Sequence, residues 1–255
     1  MTSETERERM CVERIIPWHL EDHARALAIL ENPANSDAPD GSLQPRLALV
    51  RHKMWRNGRT LRVRFLDGSA FLRAQVQRYA EEWTRYANLR FDFAGGRSAE
   101  LRVSFAADPG KSWSAIGTDA LVEQYFPLHQ PTVNFGWLTD DTPERELARV
   151  MLHELGHAIG CIHEHQNPSG GIEWDEAAVL ARFAGPPNHW DEATIRFNVI
   201  DKYASSQLRA TGFDPDSIML YAFPAELTRQ RVATHDNDQL SAGDIAFIQQ
   251  AYPRA

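Results

Sequence analysis

The chain has 255 residues, 43% of them hydrophobic and 24% charged, which is enough to bury one large core. A formal charge of −8 argues against a dedicated nucleic-acid binder, and two cysteines allow at most one disulfide. No stretch approaches about 18 apolar residues, so no membrane span or membrane partner is expected, and residues 1–10 lack the apolar segment of a signal peptide.

Charge divides the chain before any pattern does. Residues 1–45 form an acidic leader with a balance of −5, and residues 46–64 carry seven Lys or Arg and no acid. Within the leader a short helix is predicted over about Leu20–Leu30, stopped by Asn32-Pro33, with a linker running to Gly41. Leu61, Val63 and Phe65 then alternate with Arg62 and Arg64, the period of a half-buried strand. After the Asp67-Gly68-Ser69 turn, Leu72, Val76, Tyr79, Trp83 and Tyr86 recur every three or four residues, as one face of a long helix does. Alternation returns at Leu89/Phe91/Phe93, at Leu101/Val103/Phe105 and at Val133/Phe135/Trp137. A second long helix is predicted from near Thr142. Pro143 suits its first position, Glu144 and Glu146 its positive end, and Leu147, Met151, Leu155 and Ala158 its buried face. The last helix opens on Leu240-Ser241, where Ser241 caps and Asp244 reciprocates three residues on.

Four of the ten histidines fall between His153 and His165. His153 and His157 are four apart on the second helix, so both imidazoles reach one metal from one face. Leu155 faces the opposite side, and Glu154 stands beside the metal, placed to take a proton from water. Gly160 can adopt the left-handed conformation that ends a helix, which would return His163 as a third nitrogen ligand. Three His plus water is the open geometry of a catalytic zinc, which acidifies its water and polarises a carbonyl. Cys161 reads as buried, and His165 as a loop-orienting or solvated residue rather than a ligand.

The run from His153 to Glu164 resembles the long zinc signature of the metzincin metallopeptidases, and Glu164 after the third His resembles the astacin branch. Ser217-Ile218-Met219-Leu220-Tyr221 is similar to that branch's Met-turn, and residues 240–252 to the terminal helix of matrixins and related metzincins. The resemblance implies an α+β fold. A twisted mixed sheet with a back helix and the zinc helix would form an upper subdomain (46–160), above an irregular lower one (161–255) that holds the Met-turn and ends in a helix. It implies one catalytic Zn2+ on His153, His157 and His163, with Glu154 activating a zinc-bound water. Met219 would be the apolar floor, and Tyr221 a distal fifth ligand that stabilises the oxyanion. It makes residues 132–137 the antiparallel edge strand that takes extended substrate, with Asn134, Phe135, Gly136 and Trp137 as contacts.

The implied activity is zinc-dependent endopeptidase action on a peptide or protein, by a monomer. A non-catalytic binding module on the same shell and a zinc amidase acting on a non-protein amide are the alternatives. The two disulfides usual in secreted astacins are missing, which fits a bacterial-type member. Localisation stays divided, since the family implies secretion and this sequence implies the cytoplasm or unconventional export. Asp236-Asn237-Asp238 offers oxygens to Ca2+ and equally reads as an ordinary loop. The leader reads in two ways. It is a pro-segment whose Cys11, or whose Asp37 or Asp40, blocks the zinc, or its helix packs on the body with its acids near the basic block.

Overall fold

In a computed structural model describing residues 11–36, 49–50, 52–186, 188–202, 208–209 and 212–254, the leader helix α1 spans Glu21–Glu31. Its Ala24 and Ala28 face inward, and Glu31 pairs with Arg59 of the basic block at 3.1 Å. The turn formers after α1 do not start as a linker. Pro33–Asn35 make a 3-10 turn, and the buried Asn35 donates from Nδ2 to the carbonyls of Ala28 and Met54 at 2.9 Å each. The rest of the expected linker, with Asp37 and Asp40, lies outside the described residues, as do Arg46 and Arg51.

The body then runs β1 (Leu49–Val50), β2 (Thr60–Phe65), α2 (Ala70–Thr84), β3 (Arg90–Asp92), β4 (Leu101–Ser104), β5 (Ser112–Ser114), β6 (Val133–Phe135) and α3 (Glu144–Ala158). Beyond these lie α4 (Glu176–Ala184), α5 (Glu192–Ile195) with a π turn through Ile200, β7 (Leu208–Arg209) and α6 (Ala242–Ala251). Alternation explains β2: Leu61 and Val63 are buried, while Arg62 is exposed and donates to Glu100 at 2.6 Å. In α2 the expected face is inside, and the Ser69 hydroxyl accepts the amide of Leu72 as cap. Pro143 sits at the cap of α3 rather than at its first residue.

Among the described residues, five strands form one sheet in the order β3-β2-β4-β6-β5. The first four run parallel, and β5 closes the edge antiparallel to β6. This corrects the expectation for residues 132–137. β6 is an inner strand, hydrogen-bonded on both sides, and the edge belongs to Ser112–Ser114. β5 is short and reads Ser-Trp-Ser, which carries no run of alternating apolar residues. β4 is buried on both faces, and even Arg102 is enclosed. Its guanidinium donates to the carbonyls of Ala99, Phe126 and Gln130, tying down the loop before β6.

α2 and α3 pack on the sheet in a core that also takes Ile218, Met219, Phe247, Ile248 and Tyr252 from the second half of the chain. A separate apolar cluster joins α4 and α5 to Trp174, Leu220, Tyr221 and Phe223. The lower half is therefore less irregular than expected.

The C-terminal end of α3 is held by two buried polar contacts. Trp55 Nε1 donates to Ala158 O at 2.8 Å. The Tyr252 hydroxyl donates to Ile159 O at 2.7 Å while accepting the Trp55 amide at 3.2 Å. Removing that hydroxyl strands a buried donor and a buried acceptor. Tyr252→Phe is expected to lower the unfolding free energy by about 1–3 kcal/mol, read as an earlier midpoint in urea or heat.

Candidate metal centre

The centre starts from how α3 stops. Gly160 has φ 107°, the left-handed conformation anticipated for it. The Gly160 amide bonds to His157 O at 2.8 Å and the Cys161 amide to Gly156 O at 2.9 Å. This paired pattern reverses the chain directly after the helix. The reversal returns His163 to the face that carries His153 and His157.

All three imidazoles are buried, and each has its Nδ1 beside an acceptor. His153 Nδ1 donates to Ile218 O at 2.9 Å, and His157 Nδ1 to Cys161 O at 2.8 Å. His163 Nδ1 lies 3.3 Å from Gln166 Oε1 and 3.3 Å from a Glu13 carboxylate oxygen. Carbonyls only accept, so Nδ1 carries the proton and Nε2 keeps a lone pair, as a metal ligand requires. Burial lowers the pKa of all three rings, that of His157 to about 4.

His157 Nε2 and His163 Nε2 stand 3.2 Å apart. Two lone pairs at that distance repel unless a cation lies between them. The donor set therefore fits zinc, a fit that rests on the residues themselves. Cys11 completes the set: ligand atoms of Cys11, His153, His157 and His163 all lie within 4.8 Å of one another. Among the described residues this is the group of His, Cys, Asp and Glu with metal-binding spacing. Asp236–Asp238 does not converge in this way. Asn237 donates to the carbonyls of Pro215 and Ser217, and Asp238 pairs with Arg145, so the loop is tied down from within.

Tyr221 and Glu154 flank the focus. The Tyr221 hydroxyl is 2.8 Å from His163 Nε2 and 3.0 Å from His153 Nε2, and burial raises its pKa, so it remains a donor. Burial pushes Glu154 up to about 8, against the lowering effects of the Cys11 sulfhydryl and Arg149. The Cys11 sulfhydryl donates to Glu154 Oε2 at 3.4 Å. Thus Cys11 lies at the centre itself, while α1 packs on the body.

Beneath the rings, Met219 is fully buried against Gly156. A methyl on Gly156 would meet Met219 Sδ at 2.5 Å and Trp83 Cζ2 at 3.1 Å. The loop carrying Met219 is fixed by Asp244. Its carboxylate accepts Ser217 Oγ at 2.7 Å and the Ile218 amide at 2.8 Å while closing the capping box of α6. Asp244 is legible in the sequence as a cap, but its bonds to the Ser217-Ile218 turn have no sequence signal. The same holds for Gln166, whose Nε2 also reaches Phe197 O at 2.6 Å. Cys161 is buried, and His165 is buried too, its Nε2 on Asn198 O at 2.9 Å, so it orients a loop and is not solvated.

Asn134, Phe135, Gly136 and Trp137 do not line the cleft edge. Asn134 Nδ2 donates to the carbonyls of Asp108 and Lys111 at 3.0 and 2.6 Å. A methyl on Gly136 would strike the same two carbonyls at 2.1 and 2.4 Å. Phe135 is fully buried, and Trp137 Nε1 donates to Glu146 at 2.9 Å. These four residues brace the turn into β5 and the start of α3.

No protein-family model matches the chain, and no curated protein does. Among solved structures, myroilysin aligns over 82% of this chain and 99% of its own, at 38% identity and a TM-score of 0.77. Another myroilysin structure aligns over 96% of this chain and 100% of its own, at 32% identity and a TM-score of 0.61. High choriolytic enzyme 1, a hatching-enzyme zinc protease of the medaka Oryzias latipes, aligns over 80% of this chain and 96% of its own. At 14% identity and a TM-score of 0.52, it shows the shared fold.

Because Gly156 leaves no room for a side chain, Gly156→Ala must displace Met219. A loss of about 1–3 kcal/mol of stability is expected in thermal unfolding, together with weaker zinc retention in dialysis against a chelator.

Proposed function

The chain belongs to the astacin-like metzincin zinc peptidases, and from that membership we propose which of its residues carry the reaction and which restrain it. It is a zinc-dependent endopeptidase acting on peptide or protein substrates. His153, His157 and His163 hold the zinc, which supplies Lewis acidity to polarise a carbonyl and acidify water. The observation that carries this assignment is the convergence of three proton-free Nε2 atoms on one buried point beside Glu154 and Tyr221.

Glu154 takes the proton of the attacking water and returns it to the leaving amine. Tyr221 donates its hydroxyl hydrogen to the oxygen on which negative charge develops. Met219 keeps the floor dry and fixed. Extended substrate pairs with the outer edge of β5 by strand addition, in place of the inner strand β6. Residues 46–255 are the catalytic unit and residues 1–45 its pro-segment.

That pro-segment already lies on the substrate path. The Val12 amide donates to Ser112 O of β5 at 3.4 Å, and Tyr221 donates to Cys11 O at 3.4 Å. With its sulfur among the histidines, Cys11 takes the coordination place a catalytic zinc must leave open. The full chain is therefore latent.

Two substitutions test the roles separately. In the chain unblocked by Cys11→Ala, adding Glu154→Ala is expected to lower casein hydrolysis by about 100-fold or more while zinc content per chain stays at one. Undiminished cleavage would remove Glu154 from the reaction. Cys11→Ala in the full chain is expected to raise hydrolysis at least tenfold before any proteolytic processing, and an unchanged rate would exclude Cys11 as the block.

A further inference from the structure

The leader grips the body at a second point that the reaction does not use. Arg14, three residues beyond Cys11, lays its guanidinium over the ring of Trp113, 4.2 Å from the centroid. Its Nη2 donates to Asp108 Oδ2 at 2.8 Å. Both partners belong to β5 or to the turn that leads into it, beside the edge on which Val12 is paired. They line a cavity of about 510 Å³ whose wall adds Asp67, Tyr125, Phe126 and His129 and, among the described residues, no Lys or Arg other than Arg14.

The body builds this cradle without help from the leader. Trp113 Nε1 donates to the same Asp108 oxygen at 3.3 Å, and the Trp113 ring lies against Phe126 at 6.3 Å. The enclosed Arg102 holds the Phe126 carbonyl at 2.7 Å, and Asn134 holds the Asp108 carbonyl at 3.0 Å. Asp67 is already engaged by Ser104 Oγ and the Phe105 amide, so Asp108 is the carboxylate left to face a cation. The Lys111 ammonium pairs with the other Asp108 oxygen, Oδ1, at 3.8 Å and does not line the cavity. Arg14 keeps 36% of its side chain exposed, so it occupies the cradle without being sealed into it.

On the reading that the pro-segment lies where substrate does, we propose that the Trp113–Asp108 cradle is a specificity subsite for a basic substrate side chain, three residues from the residue at the histidine focus. A flat guanidinium satisfies ring and carboxylate at once, so arginine is preferred to lysine. Arg14 is then a substrate-like side chain that the pro-segment uses against its own enzyme.

The subsite can be tested apart from catalysis. In the full chain carrying Arg14→Ala the cradle is vacated, and N-acetylarginine methylamide and its lysine and alanine counterparts are titrated by calorimetry or NMR. The arginine probe is expected to bind at least fivefold tighter than the alanine probe, with lysine between them. Adding Asp108→Asn should remove most of that gap, and Trp113→Phe, which keeps a ring, only part of it. Equal binding of the arginine and alanine probes to the Arg14→Ala chain overturns the proposal.

Zinc-loaded Cys11→Ala/Arg14→Ala chain is then given peptides with Arg or Ala three residues from the cut, on either side. A kcat/KM ratio of at least five on one side is expected, and cleavage with no preference on either side also overturns the subsite. Selective probe binding in a chain that cleaves no peptide would support the cradle and count against the catalytic roles assigned above.

Discussion

A straight helix can offer one metal only two histidines from one face, because its third neighbour on that face is already a turn too far along the axis. The centre therefore depends on a reversal immediately after α3, and the reversal depends on Gly160 at φ 107°. The same turn sets the Cys161 carbonyl under His157 Nδ1, so one backbone conformation delivers a ligand and orients another. The segment beyond His163 is fastened to the turn from below. The Glu164 amide bonds to Met219 O at 3.0 Å, and Asp244 ties the Met219 loop to the terminal helix. The long-range links thus run from residue 160 to residue 244 through backbone groups and the Asp244 carboxylate, and the three imidazoles inherit their geometry from them.

Elements set by a strong local period were legible in the sequence. β2, α2, β4 and α3 each combine a clear apolar repeat with a recognisable start, and the Ser241–Asp244 capping box of α6 was readable residue by residue. The clustering of His153, His157 and His163 was legible for the same reason, since two stand at helical spacing and the third follows a glycine with a mechanical role. Features decided by partners distant in sequence were not legible. β5 is a three-residue strand whose edge position comes from pairing with β6, and nothing in Ser-Trp-Ser announces it. Asn134 and Gly136 look like an amphipathic strand until the carbonyls of Asp108 and Lys111 close over them. Helices α4 and α5 cover a small apolar cluster built around the Leu220–Phe223 loop, and their own periods are too short to stand out.

The leader shows how two readings can both be physically sound. Its helix packs as an ordinary amphipathic segment, with Ala24 and Ala28 inward and Glu31 on Arg59. Residues 11–17 form no helix, and their passage across the centre gives Cys11 and Arg14 their partners. The net charge of −8 sums an acidic leader, a basic block and an acidic remainder, and describes none of them.

The division has a consequence for how such restraint is lifted. Asn32 and Asn35 anchor α1 to the backbone at Met54 and Trp55, so the arm from Cys11 to Ile16 is held near the cleft by a short tether. A tethered ligand acts at an effective concentration of about millimolar or more, whatever its own affinity. The arm can therefore be a weak ligand and still keep the centre closed. One cut between the arm and α1 leaves every contact in place but turns a unimolecular equilibrium into a bimolecular one, in which dilution alone favours release. The anchored helix stays behind as part of the body. The proposed inhibition is thus a property of chain connectivity, and it ends when the connection does.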